Sequence, residues 1–110
     1  MTGSFEDREK AYEAKWAHDE ELHFKVLARR NRLLGQWAAG EMALSGVEAE
    51  DYVKATIQAG LIGKGADPVY EKIHTDFATH KLSHSSHAVH RKMEELFHLA
   101  SEQVAHEQKS

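Results

Sequence analysis

The 110-residue chain contains no cysteine. That excludes disulfides, thiolate nucleophiles and thiolate metal sites together, and leaves side-chain packing to hold any fold. There is one proline, and four of the seven glycines, Gly46 in "LSGV" and Gly60, Gly63 and Gly65 in "AGLIGKGADP", fall between runs of helical spacing. No apolar run approaches the ~18 residues of a membrane helix. The opening "MTGSFEDREK" lacks the basic segment and apolar stretch of a secretory signal and is too acidic for a transit peptide, so a cytoplasmic location is expected. An excess of positive charge is missing as well. A formal charge of -4 opposes nonspecific nucleic-acid binding, which needs a basic surface to neutralise phosphates.

What is present describes a water-soluble domain. Apolar residues make up 41% and charged residues 29%, enough of both for one small globular unit. A chain of this length removes roughly two-thirds of its unfolded surface from water. Nine histidines are the compositional oddity: protonating all of them moves the net charge from -4 to about +5.

Spacing predicts an all-α fold, a four-helix bundle of one long and three shorter helices. Residues 19–44 carry Leu22, Val26, Leu33, Trp37 and Leu44, with Phe24, Leu27 and Leu34 beside them, a face wide enough to meet more than one partner helix. A second helix is expected from about Val47, with Ser45 as N-cap and Tyr52, Val53, Ile57 and Leu61 buried, ending in the glycine cluster. Asp67 and Pro68 read as the cap and first position of a third, with Val69, Ile73 and Phe77 four apart. The fourth starts inside "HSSHAVH", capped by Ser85 or Ser86, and carries Val89, Met93, Leu96, Phe97, Ala100 and Val104 at spacings of three and four.

Residues 1–18 differ, and read as an arm outside the bundle of residues 19–110. Ten of the sixteen positions from Glu6 to Glu21 are charged, and the large apolar residues Phe5, Tyr12 and Trp16 lie seven and four apart on one narrow stripe. Ser4 and Asp7 resemble a capping box, and Glu6 with Lys10 forms a favourable pair. Good helix propensity with little to bury predicts a segment frayed or disordered alone. Two readings stay open: a solvated extension of the long helix, or a recognition helix whose aromatic stripe docks in a partner's groove.

The stretch "SFEDREKAYEAKWAHDEELHFKVLARRNRLLGQWAAGEMALSG" resembles the zeta subunit of the alphaproteobacterial F-type ATP synthase, and "HRKMEELFHLA" is similar to a later stretch of that family. Tyr12 and Trp16 stand where the family pattern has Phe, and His23 and His90 where it has Arg; His87, Val89, Arg91, Lys92 and Met93 match. The resemblance implies a bundle with an inhibitory arm that enters a catalytic interface between alpha and beta subunits near the gamma stalk and blocks ATP hydrolysis. It places the partner-binding residues at Phe5, Glu6, Asp7, Arg8, Glu9, Lys10, Ala11, Tyr12, Glu13, Ala14, Lys15 and Trp16. It also implies a monomer when free, peripheral on the membrane-bound synthase without inserting into the membrane, with no catalytic residues and no cofactor beyond weak binding of adenine nucleotide. A small helical binding module responding to nucleotide, metal or pH is the alternative.

Other chemistry finds little support in the residues. "GLIGKG" lacks the phosphate-loop spacing, has Gly65 where a metal-binding hydroxyl belongs and follows a helix, so it reads as punctuation. "EELH" from Glu20 to His23 is a single ExxH, whereas a di-iron bundle needs two with further core glutamates. His80, His84, His87 and His90 could supply imidazoles to zinc, nickel or copper, form a solvated helix surface, or respond to pH. Protonation of His87 or His90 in a first helical turn opposes the helix dipole, while His106 near the other end gains from it. No metal site is expected.

Overall fold

Helical spacing becomes four helices in the computed structural model, which describes residues 20–63 and 67–109. They are α1 (Glu20–Glu41), α2 (Gly46–Ile62), α3 (Asp67–Thr79) and α4 (Ser86–Lys109). The arm of residues 1–18, including Phe5 to Trp16, lies outside the described residues. At 24 residues α4 exceeds the 22 of α1, so the bundle has two long helices rather than one.

Each helix end has a local cause. Leu44 N–H donates to Ala39 O at 2.9 Å and Ala43 N–H to Gly40 O at 3.1 Å, with Ala43 at φ 58. This wrapped cap satisfies carbonyls that would otherwise be orphaned and ends α1 three residues before the expected Leu44, which folds back on the core. The same pattern closes α3, where Leu82 N–H reaches Phe77 O at 2.9 Å and Lys81 takes φ 58. Ser85 is the cap of α4: its Oγ accepts the Ala88 N–H at 3.1 Å. Ser45 occupies the N-cap of α2 in extended backbone but makes no side-chain cap bond. Gly46 follows it at φ +58, a conformation glycine adopts without a β-carbon clash.

Successive helices run antiparallel and α4 returns beside α1. Tyr52 meets Asp76 between α2 and α3, Tyr70 meets His90 between α3 and α4, and Arg29 meets Gln103 between α1 and α4. Leu34, Ala38, Val69, Ile73, Phe77, Val89, Met93 and Leu96 form the main core, with Trp37 edge-on to Phe77 at 5.5 Å. Val26, Ala100 and Val104 form a smaller cluster between the outer ends of α1 and α4. Each large side chain fully buried in this way contributes about 1.5–3 kcal/mol.

Two expectations need correction. Phe24 and Leu61 are 59% and 55% exposed, and the buried residue of α2 is Thr56. The seam between α1 and α2 explains this. A β-carbon on Gly35 would stand 3.0 Å from Val53 Cα and 3.1 Å from Thr56 Oγ1, and one on Gly60 would collide with the Asn31 amide. Backbones this close admit small side chains only, so the larger apolar residues of α2 flank the seam, Tyr52, Val53 and Ile57 remaining half-buried or more exposed. Gly60 therefore lies within a helix as a contact position, not as punctuation between helices.

Candidate functional site

The segment predicted to meet a partner, Phe5 to Trp16, lies outside the described residues, and the structure shows the platform to which it is joined. That platform is the first half of α1. Leu22 and Val26 turn toward Ala100, Val104 and Ala105 of α4, and one turn on Arg29 reaches across. Its Nη1 donates to Gln103 Oε1 at 2.9 Å, and its Nη2 stands 2.7 Å from Glu107 Oε2 and 3.0 Å from Oε1. A guanidinium spanning two acceptors fixes orientation as well as distance. The two long helices are thereby clamped where the arm joins them.

Above this clamp lies a polar layer that spacing did not single out. Arg30 is 7% exposed and Asn31 4%, and Arg30 Nε donates to Asn31 Oδ1 at 3.0 Å. Burial pulls the Arg30 pKa below its ordinary value, yet a guanidinium remains charged. The signal was present: Arg30 stands four residues after Val26 and four before Leu34, both of which face the core. Its charge concealed its phase.

On the opposite side of the head, Glu20, Glu21, Phe24, Lys25 and Ala28 line a shallow apolar groove. Glu21 and Lys25 approach only to 4.0 Å, and both carboxylate-bearing residues at the rim are exposed. Glu20 and His23 of the "EELH" motif are likewise exposed, whereas bundle metal ligands of that pattern project inward.

The histidine stretch is divided among separate partners. His84 precedes α4; its Nε2 lies 2.7 Å from Glu41 Oε1, and its ring packs against Phe77 at 4.9 Å and Trp37 at 5.8 Å. His90 stacks on Tyr70, ring centroids 4.1 Å apart and planes 10° from parallel, while His87 is exposed. His80 Nδ1 lies 2.9 Å from the Asp76 carbonyl oxygen. Among the described residues no three histidines or carboxylates converge as metal ligands. Protonation has opposite consequences within the stretch: at His84 it adds attraction to Glu41, whereas at His87 it opposes the dipole of α4.

Between α2 and α3, the Tyr52 hydroxyl donates to Asp76 Oδ2 at 2.8 Å, and Lys72 Nζ joins the same oxygen at 3.1 Å while lying 4.6 Å from the Tyr52 ring centroid. Burial, then the hydrogen bond to Asp76 and its charge, raise the Tyr52 pKa above the ordinary phenol value. This bridge is structural. Of the "GLIGKG" stretch, Gly60 to Ile62 are the last residues of α2, and Gly63 caps it by donating its N–H to Ala59 O at 3.1 Å.

Comparison with known proteins gives the geometry a context. The sequence model of a family described as ATPase inhibitor subunit zeta matches residues 1–103. A chain whose solution structure was determined by NMR superposes with a TM-score of 0.67 at 31% identity, covering 78% of this chain and 98% of the other. No curated protein matches the sequence. Among the described residues, no helix is long and apolar enough to cross a membrane.

Proposed function

The chain belongs to the ATPase inhibitor subunit zeta family, and from that premise we propose that it blocks ATP hydrolysis by the F-type ATP synthase by inserting its N-terminal arm at an alpha/beta catalytic interface beside the gamma stalk. The observation that carries the reading is the extent of the family match, which begins at residue 1 and so takes in the arm as well as the bundle. The arm's own residues suit the role. Phe5, Tyr12 and Trp16 supply anchors on one stripe, and the charges between them set register against a partner. Ordering such a segment costs conformational entropy, which burial of three aromatic rings in a groove offsets. The bundle acts as the stop: α1 continues the arm's chain direction, and the clamp of Arg29 on α4 holds its base.

Hydrolysis by the cognate enzyme, measured with the full chain and with the chain lacking residues 1–18, tests the proposal. Inhibition is expected from the first and not from the second. Equal inhibition by both would overturn it.

A further inference from the structure

Three large apolar side chains stand exposed at one end of the bundle: Phe24 at 59%, Leu61 at 55% and Ile62 at 78%. They share that end because α2 runs antiparallel to α1, with Gly60 against Asn31 and Thr56 against Gly35. Phe24 is seven residues before Asn31 and on the same side of α1, about 10 Å farther along the axis. By then α2 has ended at Ile62. Phe24 thus points as a core residue does, with no helix of the bundle above it. Clustered exposure of this kind marks an interaction surface, whereas scattered apolar residues do not.

We propose that this end of the bundle is a second docking surface for the protein that receives the arm, and that it takes an apolar side chain flanked by a basic residue. The inference rests on the function proposed above. Position argues for that occupant: nineteen residues precede Glu20, which itself lines the Phe24 groove. Trp16 is eight residues from Phe24, about 12 Å along a helix and no more than roughly 28 Å fully extended. A partner that grips the arm as far as Trp16 therefore brings the mouth of its interface to this face. Charge argues for the flanking base. Glu20 and Glu21 rim the groove, and the side chain of Glu21 is 83% exposed, with Lys25 only at 4.0 Å. The arm supplies inhibition and this face supplies additional affinity.

The test uses the full chain and two readouts with the cognate ATPase head: direct binding by fluorescence anisotropy and inhibition of hydrolysis. Phe24→Ala should raise both the dissociation constant and the half-inhibitory concentration about tenfold while leaving complete inhibition at saturation. Phe24→Leu should recover most of the loss, and Glu20→Lys with Glu21→Lys should weaken binding most at low salt. An unchanged thermal melt confirms that the bundle is intact in each variant. Binding by Phe24→Ala within twofold of the unsubstituted chain would overturn the proposal. So would tighter binding, which would assign the face to the chain's own arm, or a concentration-dependent dimer lost in Phe24→Ala, which would assign it to a second copy. If the chain binds through Phe24 without inhibiting hydrolysis, the function proposed above fails and the docking surface stands; if it does not bind, both fail.

Discussion

Replacing Gly60 with alanine sets two opposed effects on one methyl group. In an open helix interior the change favours folding by about 1 kcal/mol, because alanine loses less backbone freedom than glycine. At Gly60 the new β-carbon runs into Asn31 Nδ2, with Asn31 Cγ at 3.3 Å and Val69 Cγ2 at 3.4 Å. Asn31 is 4% exposed and its Oδ1 accepts from Arg30, so turning the amide away breaks a buried bond beside a buried cation. An unsatisfied buried polar group costs about 1–3 kcal/mol, and crowding a packed seam costs a similar amount. Collision outweighs propensity, for a net loss of roughly 1–3 kcal/mol. In a domain of this size that lowers the melting temperature by roughly 5–20 °C. Gly40 is the internal control, since it is helical and exposed, and a β-carbon placed there meets nothing within 4 Å. Gly40→Ala should raise stability by roughly 0.5 kcal/mol, less than the full propensity difference because it lies in the last turn. Urea and thermal unfolding followed by circular dichroism measure both. A Gly60→Ala chain at least as stable as the unsubstituted protein would refute the close seam between α1 and α2.

Ser85→Ala removes the acceptor for the Ala88 N–H and should cost about 1 kcal/mol, read by urea unfolding, while Ser86→Ala should cost much less. Tyr52 predicts an alkaline effect: its folded pKa lies above the unfolded value of about 10, so the stability it contributes is present below pH ~10 and is lost as pH rises through and beyond that point. Tyr52→Phe should flatten that part of the stability profile as pH rises from about 8 to about 11, and an identical slope in the two proteins would exclude the Asp76 bond as its source.

Sequence pattern conveyed the helices because their apolar phase is carried by large side chains. Val69, Ile73 and Phe77 fall four apart and are all buried, and Val89, Met93, Leu96, Ala100 and Val104 trace one face of α4. The same criterion misled where a seam is built from small residues: Thr56, Gly35 and Gly60 carry the α1–α2 contact, and no hydrophobicity scale marks them as core. It also misled at Phe24, since periodicity reports which way a side chain points but not how far the neighbouring helix extends. Arg30 shows the converse, a charged residue whose phase placed it inward. The histidine stretch divided for a related reason: sequence proximity brought His84, His87 and His90 together, but only tertiary packing sends His84 to Glu41 and His90 to Tyr70.

The antiparallel pairing of α1 with α4 has a mechanical meaning. A tug on the chain upstream of Glu20 acts along the axis of α1, parallel to its contacts with α4 and α2. Val26, Leu34 and Ala38, spread along the helix, then resist together in shear instead of parting one after another as a peeled zipper does. Forced opening is governed by the unfolding barrier, and many contacts loaded at once raise that barrier. Arg29 bolts the loaded end to α4. A small bundle so arranged is a handle that can be pulled hard by a rotating machine without coming apart.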